Sequence, residues 1–166
     1  MAATLTFTWT VQGAGWARIS AEDEYEGVDT TASYCAGTDA AAHFLYALVR
    51  LILTDTRTTA EFHAEPEVYR WFFSRDGPEV DITVVMADGY QAPADSGVVL
   101  WSSRQPLDVL CRAVVRAFDG VLHELGEEGY QREWRRSFPR PELEGLRAAW
   151  RGLRAGAEGV QRGGPR

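Results

Sequence analysis

Two sets of residues in this sequence combine side chains and spacing that could do chemistry. The first is His63-Ala64-Glu65-Pro66-Glu67, an H-x-E spacing in which a histidine can hold zinc while a glutamate moves protons. Such a centre also needs a P-C-x-x-C pair, and the sequence has none. Period-two alternation turns His63 and Glu65 away from Ala60, Phe62 and Ala64, so the residues read as a solvated strand end. The second set is Asp39, His43, Tyr46 and Arg50, spaced by four, three and four residues and therefore on one side of a helix. A carboxylate, an imidazole, a phenol and a guanidinium in one line are the equipment of acid–base catalysis or of a small-molecule pocket. The same line is also what the solvent stripe of an otherwise apolar helix looks like.

Metal and thiol chemistry find little support. His43, His63 and His123 fall on separate elements, and none is paired at i, i+4 as in a helical zinc site. Cys35, in an expected strand, and Cys111, on the apolar side of an expected helix, read as small buried hydrophobes. No cysteine stands beside a histidine, and there is neither a G-x-S-x-G elbow nor a phosphate-cradling glycine loop. No metal, cofactor or catalytic residue is therefore expected.

The elements that must carry these residues are legible from periodicity. Leu5, Phe7, Trp9 and Val11 alternate with threonines, Trp16 to Glu22 continues with Ala17, Ile19 and Ala21 on one face, and a third strand is expected around Glu26 to Cys35. Thr38 reads as the N-cap of a helix carrying Phe44, Leu45, Leu48, Val49, Ile52 and Leu53. Thr58 to Ala64, Val68 to Phe73, Val80 to Met86 and a short Val98 to Trp101 give four more strands, with Pro66 and Arg75-Asp76-Gly77-Pro78 as breaks. Pro106 to Leu125 is an amphipathic helix with a stop at Gly126. A short helical stretch near Tyr130 to Arg136 and a last helix from Pro141 with Leu143, Leu146, Trp150 and Leu153 on one face complete the chain. The order predicts an α+β two-layer fold, with an antiparallel sheet of about six to seven strands and the helices packed on one face. Residues 1–155 read as one domain and 156–166 as a flexible Gly- and Arg-rich tail.

Charge narrows the partners. Residues 1–129 hold 8 arginines against 20 acidic residues, whereas residues 130–166 hold 9 arginines against 4 glutamates. An acidic body argues against a main face that binds nucleic acid, which would need clustered positive charge. Arg147, Arg151 and Arg154 on the last helix read as a solvated face that pairs with this body. The start of the chain has no basic and apolar leader pattern, and Phe44 to Leu53 is too short to span a bilayer, so the expected location is the cytoplasm. Trp16 lies opposite Ala17, Ile19 and Ala21. With Arg18, Glu22, Asp23, Glu24, His63 and Glu65 it makes a candidate partner-binding surface, an aromatic anchor among charges. Association with further copies of the chain stays open.

Glu65-Pro66-x-x-Tyr69-Arg70-Trp71, Tyr130-x-x-x-Trp134 and Phe138-Pro139-x-x-x-Leu143 together resemble a pattern in small uncharacterised bacterial α/β proteins, some of them similar to toxin-immunity proteins. The resemblance implies a protein partner and transfers no functional residue. The leading expectation is thus a non-enzymatic protein-binding module, immunity-like or an assembly subunit, holding a basic protein on an acidic and aromatic surface. The alternative is an enzyme or small-molecule binder with its pocket near Asp39, His43, Tyr46 and Arg50.

Overall fold

The periodic segments fold into two consecutive antiparallel meanders with a helix between them and two helices after them. The computed structural model describes residues 3–35 and 37–163. β1 (Thr6–Gly13), β2 (Trp16–Glu22) and β3 (Gly27–Ser33) form a three-stranded sheet, and α1 (Ala40–Leu53) follows. β4 (Arg57–His63), β5 (Glu67–Asp76), β6 (Glu79–Asp88) and β7 (Val98–Pro106) form a four-stranded sheet, and α2 (Leu107–Trp134) and α3 (Arg140–Arg162) close the chain. The α+β class and the antiparallel pairing are as the sequence predicts.

The single sheet of the sequence reading is corrected to two sheets, which share one core. Phe7 and Trp9 of β1 point across to the second sheet, with Phe7 edge-on to Trp71 at 6.0 Å and Trp9 edge-on to Phe62 at 5.6 Å. These bulky aromatics fill space that a single sheet would have given to helices. The helices accordingly do not cover one face: α2 packs along β1, while α1 packs against β4 and α3. Trp9 and Trp71 are core residues, as expected. A second link between the sheets is polar. Ser103 Oγ of β7 donates to Asp23 Oδ2 at 2.7 Å, and Gln105 Nε2 donates to Ser103 Oγ at 2.9 Å.

Several local expectations need adjustment. Asp39, not Thr38, is the N-cap of α1, because its carboxylate reaches the Ala41 N–H at 3.2 Å. Gly126 does break α2, with φ 66° and ψ 172°, but helix resumes at once and absorbs the stretch from Tyr130 to Trp134. β7 runs on to Pro106, where the sequence suggests an end at Trp101. Cys35 is exposed beyond the end of β3 and is not a core residue, whereas Cys111 is buried and its thiol is pushed up to about 12 by that burial.

α3 is regular through Gly156 and Gly159 to Arg162, where the sequence suggests that order stops near Gly156. Every described residue beyond Leu153 is exposed, so this last stretch buries little. Deleting residues 157–166 is expected to change unfolding free energy by less than about 0.5 kcal/mol, checked by denaturant titration of the truncated chain. Further in, the helix is anchored. Arg147 forks onto Asp119 at 2.7 and 3.1 Å, Trp150 Nε1 donates to Asp108 at 2.7 Å, and the Arg154 guanidinium lies 5.4 Å from the Trp150 ring centre. Arg147 pairs with the acidic body as its spacing suggested, Arg154 lies 3.8 Å from Asp108, and Arg151 has no such partner among the described residues.

Candidate functional site

The corner where β4 turns into β5 carries a cleft of about 430 Å³ beside a buried arginine. Alternation in β4 sends Thr58, Ala60 and Phe62 inward and leaves Glu61 and His63 on the outer face. The turn closes with the Ala64 N–H donating to Glu67 O at 2.8 Å, and Glu65 takes a left-handed backbone with φ 50° before a cis Pro66. Across the hairpin, His63 faces Val68 and Glu61 faces Arg70.

Arg70 organises what lies outside that hairpin. It points to the outer face, yet it is only 5% exposed, because the connection from β6 to β7 folds back over it. Its Nε donates to Glu61 Oε2 at 2.9 Å, and its terminal nitrogens donate to the carbonyls of Pro93 at 2.9 Å and Ala92 at 2.8 Å. A buried guanidinium is tolerated only when so engaged. Val68, Val85 and Ala87, also buried, share this covered part of the sheet. The connection rejoins the sheet at Gly97, where φ is 112° and an added Cβ would lie 2.5 Å from the Met86 carbonyl oxygen, so only glycine fits.

His63 is fixed by the same network. Its Nε2 lies 2.9 Å from Glu61 Oε1, so one carboxylate holds both the imidazole and the guanidinium. Tyr90, from the folded-back connection, stacks on the imidazole with ring centres 6.0 Å apart and an interplanar angle of 19°. Beside this pair lies a concavity of about 430 Å³ lined by His63, Glu65, Pro66, Glu67, Val68, Gly89 and Tyr90. Glu61 and Arg70 satisfy each other, whereas the side chains of Glu65 and Glu67 have no hydrogen-bond or ion-pair partner among the described residues. Sequence reasoning singled out His63 and Glu65 but missed Arg70, Glu61 and Tyr90. The signal for the first two was present: a hairpin centred on Glu65-Pro66 places Glu61 opposite Arg70 on one face.

The other expected partner-binding residues lie on the first sheet. Arg18 and Glu22 share its outer face with Thr6, Thr8, Thr10, Ser20 and Asp29, and these line a shallow concavity of about 370 Å³. Arg18 pairs with Asp29 at 2.8 Å, and Ser20 also donates to Asp29. The hydrogen bond from Arg18, with help from Ser20, holds the Asp29 carboxyl below its ordinary range. Trp16 is half-buried at the start of β2, opposite Ser33. Asp23 is a turn residue. Its Oδ1 accepts from the N–H groups of Tyr25 and Glu26 at 2.9 Å each, while Oδ2 takes the Ser103 hydroxyl. Partial burial pushes the Asp23 carboxyl up, but these three donors outweigh it and leave it lowered. Glu24 is exposed in the same turn, beside the exposed Tyr25. The expected surface is therefore two groups, Trp16 to Glu24 on the first sheet and His63 with Glu65 at the corner of the second.

The helical line Asp39, His43, Tyr46 and Arg50 is not drawn into one group. His43, Tyr46 and Arg50 are exposed, and Arg50 turns to Asp55 while lying 5.9 Å from the Tyr46 ring centre. Asp39 faces inward, where it accepts from Ala41 N–H and from Trp134 Nε1 at 3.1 Å and so ties the start of α1 to the end of α2. Burial raises its pKa, and the two hydrogen bonds and nearby Arg136 only partly oppose this. The folded chain therefore holds the Asp39 proton more tightly than the unfolded chain does. That contribution is complete below the ordinary value of 3.8 and is lost as pH rises through the raised folded-state value. Asp39→Asn keeps an acceptor for both donors without the charge. It is expected to melt higher than the parent at pH 7 and to lose that advantage as pH falls toward 3.8; thermal unfolding at the two pH values checks it.

Among the described residues, no three His, Cys, Asp or Glu side chains gather where a metal ion could be held. No helix among them is long and apolar enough to cross a membrane. No family model matches the sequence, and no curated protein matches it. Among solved structures, a chain of the CdiA-CT/CdiI toxin and immunity complex from Enterobacter cloacae aligns with a TM-score of 0.48 and 6% sequence identity, over 70% of this chain and 99% of that one.

Proposed function

We propose that this chain is a non-enzymatic protein-binding module of the cytoplasm, immunity-like or an assembly subunit, which engages a basic protein partner through an acidic and aromatic surface. One observation carries the reading. At the corner cleft the imidazole and the buried guanidinium are spent on architecture, while an aromatic ring and two carboxylates are left outward. His63 and Arg70 both bind Glu61, and Arg70 also binds the carbonyls of residues 92 and 93. Tyr90 remains 64% exposed beside the unpaired carboxylates of Glu65 and Glu67. A rigidly backed aromatic side chain among charges is the usual form of an interface anchor. The excess of acidic residues over residues 1–129 would steer a basic partner toward it.

The test is recovery of a partner from the native host on the immobilised chain, at low and at moderate salt. The expected result is one stoichiometric basic protein whose capture weakens as salt rises. Failure to recover any stoichiometric protein at low salt contradicts the reading.

A further inference from the structure

We propose that the corner cleft is a receptor for a single arginine side chain of the partner, an inference that rests on the protein-binding reading above and names the chemistry its anchor would take. Three features of the cleft converge on a guanidinium. The first is an aromatic wall. One face of the Tyr90 ring is stacked on His63 and the ring as a whole is still 64% exposed, so its outer face is open to a planar cation. The second is an apolar edge of Pro66 and Gly89, along which the methylene stem of a long side chain can lie. The third is charge. Glu65 and Glu67 border the cleft without partners among the described residues.

Among the described residues, no arginine lines the cleft. The cationic side chain nearest in the ladder, Arg70, is turned into the Glu61 carboxylate and the carbonyls of residues 92 and 93. An incoming guanidinium therefore meets unpaired carboxylates and a free ring face rather than a guanidinium already in place. Its planar fork can stack on Tyr90 and donate to a carboxylate at once, which a lysine ammonium cannot do. The volume of about 430 Å³ leaves room for one such side chain with its water. The wall is also preorganised, because His63 is held by Glu61 and the connection that carries Tyr90 is clamped by Arg70.

Titration of the isotope-labelled chain with acetyl-arginine amide, followed by amide chemical shifts, tests this directly. Shifts confined to the backbone around residues 63–68 and 88–90 are expected, with an affinity on the order of millimolar for one side chain. The lysine analogue should bind more weakly, and the uncharged citrulline analogue at least about tenfold more weakly than arginine. The double variant Glu65→Gln with Glu67→Gln should show the same loss toward arginine at an unchanged melting temperature, and Tyr90→Leu should also weaken binding. Shifts that fail to localise, or citrulline binding as well as arginine, would overturn the proposal. Partner capture separates it from the broader reading. A captured partner that ignores the Glu65/Glu67 double variant overturns the arginine receptor and leaves the protein-binding module standing. Arginine binding at the cleft without any recoverable partner supports the guanidinium site and overturns the module.

Discussion

Replacing Arg70 with alanine is expected to cost about 3 kcal/mol of folding free energy, because it removes the buried member of a partly buried ion pair together with its hydrogen bonds to two covered carbonyls. Arg70 is 5% exposed and donates to Glu61 and to the carbonyls of residues 92 and 93. Without it, three acceptors lose their donor and the connection over the outer face of the second sheet loses its clamp. Val68, Val85 and Ala87 would then be opened to water. Arg70→Met keeps the apolar stem and should recover part of the loss; Glu61→Gln, which leaves an acceptor for the guanidinium, should cost less than either. Denaturant unfolding measures all three. Protease cleavage within residues 88–97, faster in Arg70→Ala than in Glu61→Gln, would show that the clamp itself has failed. An Arg70→Ala variant as stable as the parent would refute this account of the corner.

Phe44→Ala is expected to be as damaging, at about 3–5 kcal/mol. Phe44 is fully buried on α1 and meets five rings, from both sheets: Phe7 at 5.2 Å, Trp9 at 6.2 Å, Phe62 at 5.8 Å, Trp71 at 5.5 Å and Phe73 at 5.7 Å. The cavity left by its removal would sit where the two sheets and the first helix meet, among rings too large to collapse into it. Against a total stability of about 5–15 kcal/mol for a domain, this leaves a marginal fold. The melting temperature should fall by roughly 10 °C or more. Phe44→Leu, which refills most of the volume, should lose much less. A fall of only a few degrees in Phe44→Ala would mean that the sheets hold each other without the helix.

The sequence made the inward residues legible better than it made their arrangement legible. Alternation identified Leu5, Phe7, Trp9, Val11, Ala17, Ile19, Ala21, Ala60, Phe62, Ala64, Val80, Ile82, Val84 and Met86 as inward, and all but the half-buried Leu5, Val11 and Met86 are buried. Period two says which way a side chain points, not what it points at. That is why two sheets facing each other looked like one sheet covered by helices. The helix through Gly156 and Gly159 differs from the expected end of order for a related reason. Its glycines are weak helix formers, but the alanine, arginine, glutamate and glutamine around them propagate a helix already anchored at Leu143 and Leu146. At the corner, His63 and Glu65 were visible as outward polar residues, whereas a buried arginine looks in sequence like an exposed one. Only the return of residues 89–97 over the strand decides between them. Spacing placed Asp39 in one line with His43, Tyr46 and Arg50, yet the first position before a helix is free to turn back to the orphan N–H groups, and it does.

The order of pairing in the two meanders has a kinetic consequence. Among the described residues, each strand is hydrogen-bonded only to its neighbours in sequence, β1 to β2 to β3 and β4 to β5 to β6 to β7. No ladder requires distant parts of the chain to find each other, so the loop-closure cost of making either sheet is small. The cost is concentrated in a single later event, when Trp9 meets Phe62 and the last turn of α2 delivers Trp134 to Asp39, contacts 53 and 95 residues apart. Folding should therefore be limited by docking of two locally formed halves around α1. Amide exchange in the native protein should report the strands of each meander opening as separate blocks.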